Sequence, residues 1–489
     1  MEIVTSLPLY AVIVPILGAL VLAFVPEKED RVRNPLAVAI SLVTAGIVIS
    51  LVRMVLQGQI VQYTLLDILP GLEFSFRIDP LGALFAGAAA VLWVFAVVYS
   101  IGYMSHEHNR RRYFVFYLIS LGVTMGVAFA ANLFTLYLFY EMLTLATYPL
   151  VIHEGNAEAQ AAGVRYMIYS FIGAGLVLFS LLITYGLVGT LAFERGGIMG
   201  EVLQTAPFIL RIIFITYVLG FGVKAAIMPL HAWLPSAMAA PTPVSALLHA
   251  VAVVKSGVFG VLRVMYSVFG TEVMLELNLG IIVAVLVSFT IVLASITAMR
   301  QDVLKRRLAY STISQLGYIT LGAGLLTPLA LSGGLIHILN HALLKITLFF
   351  CAGAIITVTG KKRISEYNGL GRRMPITMLA FTVGSIGMVG ILPINGFISK
   401  WYLMGGSLEA GMPIFLVILI SSAMLNAAYF FPIVTAAFFK KGDFEKPQGP
   451  EAPLTMLLPI AILAVICIVV GIKLDLTVPY IHDIVAYLF

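Results

Sequence analysis

Apolar runs long enough to cross a lipid bilayer recur along almost the whole of this sequence, separated only by short polar or charged turns. That repetition limits the fold more than any single motif, because hydrocarbon offers no hydrogen bonds and a spanning backbone must satisfy its own. About 20 mostly apolar residues make one helical crossing. Divided at charged residues, Pro/Gly clusters and polar turns, the chain yields fourteen segments: 5 to 25, 34 to 56, 79 to 103, 113 to 130, 132 to 153, 164 to 190, 206 to 229, 242 to 268, 277 to 299, 304 to 325, 330 to 358, 375 to 405, 411 to 439 and 454 to 472. The reading is an all-α membrane protein of about 14 transmembrane helices in one polytopic domain over 1–489. The charged fraction agrees, at 11% against the roughly 25% usual in soluble domains. Glu2 stands where a secretory signal would carry positive charge, so the Thr5–Val25 run reads as the first membrane helix.

Lys and Arg concentrate in cytoplasmic loops of membrane proteins, and here they separate the loops into two sets. Loops after odd-numbered segments hold 19, among them Lys28, Arg110, Arg165, Lys305, Lys361, Arg372, Lys440 and Lys446. The other side holds 6: Arg53, Arg77, Arg195, Arg211, Arg263 and Lys473. This asymmetry puts both termini outside, in a multi-pass protein of the cell membrane. It also accounts for most of the net charge of +6, so no nucleic-acid partner is needed to explain the basic balance. Cys351 and Cys467 lie in apolar stretches without the paired spacing of iron–sulfur, haem or zinc sites. No cofactor and no catalytic redox site are expected in this chain.

Topology leaves five charges within the segments: Glu141, Lys224, Lys255, Lys345 and Lys400. A charge near the bilayer centre costs at least about 2.5 kcal/mol, so such residues face a cavity or a partner and mark ion or proton routes. His249 precedes Lys255 by six residues, and His337, His341 and Lys345 form one stripe along a helix face. Histidine titrates near neutrality, and burial disfavours the charged form of both lysine and glutamate, which suits all three to proton relay. A neighbouring glutamate restores the charged lysine, so separating such a pair changes its proton affinity. His337 and His341 also have the i, i+4 spacing of a two-histidine metal site. The stripe holds no carboxylate and Lys345 would repel a cation, so a metal is not expected.

Two segments are interrupted near a lysine: Lys224 precedes Pro229, Pro235, Pro241 and Pro243, while Pro393 and Gly396 precede Lys400. Broken spans are tolerated where backbone lines a cavity, and matching breaks in two halves point to a transport site. The breaks stand five segments apart. That suggests one five-helix unit over segments 4–8 (113–268) and a second over 9–13 (277–439), inverted because five is odd, with N-terminal helices in 1–112 and a last helix in 454–489.

The stretches NLFTLYLFYE around Glu141, KAAIMPLHAWLPSAMAAPTPVSALLHAVAVVKSGVF from Lys224, LAYSTISQLGYI from Leu308 and HILNHALLK from His337 carry a resemblance. The chain resembles the antiporter-like subunits shared by Mrp-type sodium/proton antiporters, respiratory complex I and archaeal membrane-bound hydrogenase or sulfane-sulfur reductase complexes. The resemblance implies fourteen core helices with broken helices 7 and 12. It also implies that Glu141 and Lys224 are the interacting pair of a first half-channel, that Lys255, His337, His341 and Lys345 lie on a central hydrophilic axis, and that Lys400 ends a second half-channel. The expected function is proton translocation, with or without exchange for sodium, in a complex with other membrane subunits. A stand-alone sodium/proton antiporter and a passive anchor of a redox complex are the alternatives.

Overall fold

Capping residues set where several of the apolar runs begin as helices. The computed structural model describes residues 2–442, 444 and 450–489; Lys446, counted in the last cytoplasmic loop, lies outside them. Strand β1 (Glu2–Val4) leads into α1 (Leu7–Ala23) and α2 (Asp30–Leu56), and a hairpin of β2 (Ile60–Leu69) and β3 (Leu72–Ile78) follows. Next come α3 (Pro80–Met104), α4 (Arg110–Phe129), α5 (Leu133–Val151), α6 (Ala157–Val188) and α7 (Pro207–Lys224). After the short α8 (Trp233–Ser236) stand α9 (Thr242–Ala250), α10 (Val253–Arg263), α11 (Gly270–Glu276), α12 (Leu279–Met299), α13 (Leu304–Gly324) and α14 (Pro328–Thr359). The order closes with α15 (Leu370–Arg373), α16 (Pro375–Val389), α17 (Gly396–Glu409), α18 (Pro413–Phe439), α19 (Leu454–Ile472) and α20 (Val478–Leu488).

Asp79, Asn132, Asn156 and Thr327 cap α3, α5, α6 and α14 by accepting from the backbone N–H three residues on, which satisfies one of the donors that a helix start leaves free. Among the described residues, ten helical stretches are long and apolar enough to cross a membrane. Four of the fourteen expected segments fall outside that set. α1 and α16 are apolar but short; α5 and α13 carry too many polar residues, Glu141 with several Tyr and Thr in one and Lys305, Arg306, Arg307 and Gln315 in the other. Leu308 to Gly324 of α13 is nonetheless buried almost throughout, so its polar side chains meet other helices.

The all-α reading needs one correction. β1 pairs parallel with β2, Glu2 opposite Ile60, and β2 pairs antiparallel with β3, Val61 opposite Ile78. The signal was present: β-branched and aromatic residues flank Pro70-Gly71, and Gly71 turns the chain at φ 72°. The eighth segment, read as continuous over 242–268, is also broken. α9 ends at Ala250 and α10 begins at Val253, with non-helical backbone at Val251 and Ala252, and no Pro or Gly marks the gap. Every residue from Pro241 to Gly270 is buried, the polar His249, Lys255, Ser256 and Arg263 included. α14 runs unbroken beside it, packed against α9, α13, α16, α17 and α19.

Candidate ion pathway

The seventh segment ends as a helix at Lys224. Ala226 then takes φ 54°, and the chain passes through a cis Met228–Pro229 peptide into the short turns around α8. Gly257 of α10 fits against this end so closely that a Cβ there would lie 2.7 Å from the Lys224 carbonyl carbon. The Lys224 side chain is buried, donates to the Tyr140 carbonyl and stands 3.4 Å from the centroid of the Tyr140 ring. Its Nζ lies 3.7 Å from Glu141 Oε1, an ion pair too long for a good hydrogen bond. Glu141 remains 19% exposed. Among the described residues Lys224 is the one intramembrane lysine with a carboxylate in ion-pair reach.

The central residues fall together. His249 at the end of α9 lies against the Phe349 ring, with centroids 4.8 Å apart, and Lys345 and Lys305 face it. Lys255 lies near the start of α10 on the far side of the break, the His337 and His341 rings stand 6.0 Å apart, and Lys255, Lys345, His337 and His249 all act on His341 electrostatically. The Lys255 amine and both ring nitrogens of His249 and His341 are buried without a hydrogen-bond partner among the described residues. Buried polar groups cost stability unless paired. Two small cavities of about 10 Å³ adjoin Lys255, space for about one water each. His337 is held differently: Nδ1 lies 2.9 Å from Ser399 Oγ and Nε2 lies 2.9 Å from Gln315 Oε1. Lys345 donates to the Leu308 carbonyl at 3.2 Å.

At the second break α16 stops at Val389 and α17 starts at Gly396, with a cis Leu392–Pro393 peptide between them. A Cβ on Gly396 would collide with the Gly387 carbonyl, so glycine is required where the two halves meet. Lys400 turns back across the gap and donates to the Met388 and Val389 carbonyls at 2.6 and 2.9 Å. These are carbonyls that a helix end leaves free, and a cation there also complements the helix dipole. An apolar cavity of about 330 Å³, bounded by Gly390, Phe397, Met404 and Met424, opens beside Lys400.

Among the described residues no three His, Cys, Asp or Glu side chains group as metal ligands. Sequence reasoning assigned Arg263 to a loop and passed over Asp79. The structure joins them in a buried bidentate pair, Nη1 to Oδ2 at 2.5 Å and Nη2 to Oδ1 at 2.8 Å, tying α10 to the start of α3. Segment boundaries concealed it, since both residues stand at segment ends. The hydroxyl and amide side chains of Ser311, Gln315, Ser399, Asn426 and Tyr429 were missed as well, because uncharged polar residues leave no mark in a count of charges.

A polytopic helical bundle with interrupted helices, an acid–lysine pair at one break and a row of buried lysines and histidines leading to the other defines a class of ion-translocating membrane proteins. The chain belongs to the NADH:quinone oxidoreductase/Mrp antiporter membrane family: the family model so described matches residues 130–425, and one described as the complex I chain 5 N-terminus matches 71–114. It is 34% identical to NADH-quinone oxidoreductase subunit N of Desulforudis audaxviator, over 95% of both chains. It is 33% identical to a probable K(+)/H(+) antiporter subunit of Rhizobium meliloti over 97% of this chain, though it spans only 48% of that longer protein. Among solved structures, a chain of the archaeal membrane-bound sulfane sulfur reductase superposes with TM-score 0.89 and 25% identity over 99% of this chain and 98% of its own. A chain of the Mrp complex from Dietzia sp. shares the fold at TM-score 0.88 and 21% identity, over 99% and 97%.

Proposed function

We propose that this chain is an antiporter-like, proton-translocating subunit of a multi-subunit membrane complex. Glu141 and Lys224 take up or release a proton as their separation changes, His249, Lys255, His341, Lys345 and His337 pass it along the buried axis, and Lys400 ends the route. The observation that carries this reading is the loose 3.7 Å Glu141–Lys224 pair at an interrupted helix, connected through α10 to a row of buried titratable groups. In such a pair a small displacement changes the charge balance, which converts a conformational or electrostatic trigger into proton movement.

The same reading takes fourteen crossings with both termini outside the cell membrane, supported by the 19-to-6 division of Lys and Arg. It takes residues 113–268 and 277–439 as inverted repeats, supported by breaks that each lie beside a lysine. Relatives named as subunits of a quinone oxidoreductase and of antiporters support membrane partners, and one named as belonging to a Na(+)/H(+) antiporter supports testing sodium as the counter-ion. In proteoliposomes holding the assembled complex, Glu141→Gln and Lys224→Met should abolish proton flux. Unchanged flux in both would overturn the assignment. The chain purified alone should transport little, whereas a self-sufficient antiporter would keep its activity.

A further inference from the structure

His337 of α14 meets Ser399, the neighbour of Lys400 on α17. A second link between Lys400 and the Lys345 end of α14 runs through α18. Tyr429 places its hydroxyl 2.8 Å from Ser311 Oγ on α13 and in contact with Asn426 Oδ1. The Asn426 amide donates at 3.2 Å to the Met388 carbonyl, which also accepts from Lys400 at 2.6 Å. At the other end Ser311 lies one turn beyond Leu308, whose carbonyl receives the Lys345 amine at 3.2 Å. All these groups are buried. A phenol has one proton and here two acceptors, so it must choose between Ser311 and Asn426.

Resting on the proton-path reading, we propose that Tyr429 and Asn426 couple the charge state of Lys400 to the Lys345 end of the axis, Tyr429 acting as a positioning residue. When Lys400 releases the Met388 carbonyl, Asn426 becomes its remaining side-chain donor. The amide shifts, its oxygen leaves or approaches the phenol, and the Tyr429 proton turns toward or away from Ser311, beside the Lys345 docking point. The charged and titratable groups facing this link are Arg307 and Tyr318 on α13, Lys345 and His337 on α14 and Lys400 itself.

The test is proton flux against pH in proteoliposomes of the assembled complex. Tyr429→Phe, Asn426→Leu and Ser311→Ala should each lower flux about fivefold and move the pH optimum by about half a unit, and Ser311→Thr, which keeps the hydroxyl, should restore the original profile. The Tyr429→Phe/Asn426→Leu double variant should be no slower than the slower single, because both act on one link. A lower rate with an unmoved profile, or a double variant in which the two losses multiply, would overturn the coupling. Glu141→Gln in the same vesicles separates the two readings. If it stops flux while Tyr429→Phe keeps the original rate and profile, only the coupling fails; if it leaves flux intact, the path itself fails.

Discussion

Among the described residues, two acid–base pairs in the helical interior are built to opposite specifications. Asp79 and Arg263 meet through two parallel hydrogen bonds of 2.5 and 2.8 Å, with Asp79 also capping α3 and the guanidinium between the Phe193 and Phe259 rings. Glu141 and Lys224 stand 3.7 Å apart, the acid is 19% exposed and the lysine ends its helix. The bidentate pair fixes distance and orientation, so a change of charge on either partner would leave the other buried and alone. The loose pair has a part-exposed acid and a lysine that is 1% exposed, so opening it leaves the acid to solvent and favours loss of the buried lysine's proton. On the proposed proton path, bond geometry then separates a lock from a switch within one chain, although both are a carboxylate beside a cation.

Breaking the lock should have the largest effect on stability. Asp79→Ala strands a buried guanidinium and should cost about 3–5 kcal/mol, read as a fall in the unfolding temperature of the complex, while flux per assembled complex stays near the original. Glu141→Gln should do the reverse: flux falls at least tenfold, about 1.4 kcal/mol in rate terms, with the unfolding temperature almost unmoved. If Glu141→Gln unfolded the protein and Asp79→Ala stopped transport, the contrast between the pairs would be wrong. Lys400 sharpens it from the other break, where the cation caps carbonyls and has no acid. Lys400→Met should cost about 1–2 kcal/mol of stability in addition to lost flux, and Lys400→Arg should recover the cap but not the titration.

The smallest effect belongs to a control outside the membrane. Burial pushes the Glu107 carboxyl above the usual carboxylate range, and Glu154 nearby adds to it. A raised acid costs stability once pH exceeds its ordinary value. Glu107→Gln should therefore stabilise slightly at neutral pH, by well under about 1 kcal/mol given its exposure, and the gain should vanish as pH falls through the ordinary glutamate range. Melting curves at two pH values would check it.

Charge was the legible part of this sequence. Lysines in hydrocarbon must be accounted for, and Lys224, Lys255, Lys345 and Lys400 could be named from the apolar runs around them. Breaks written in Pro and Gly, at Pro229 and at Pro393 with Gly396, were legible too. The gap at Val251–Ala252 was not, since its residues are ordinary apolar ones with no Pro or Gly to mark it. The Ser311–Tyr429–Asn426 link was equally silent, because tyrosine, serine and asparagine belong to no charge count and the contact spans over a hundred residues of sequence. The β-hairpin was written in the residues around Pro70-Gly71, but the dominance of helical runs concealed it.

α14 spans 32 residues, about 48 Å of rod at 1.5 Å per residue, against a hydrocarbon layer of about 30 Å. Its length exceeds any bilayer it could meet, so a thicker or thinner membrane alters only how much of each end protrudes or how far the rod leans. The eight-residue interval from His337 to Lys345, about 12 Å, is ruled by helical pitch alone. The chain thus carries its own measuring stick, and the spacing of His337, His341 and Lys345, the α14 part of the proposed relay, should be the same in every lipid.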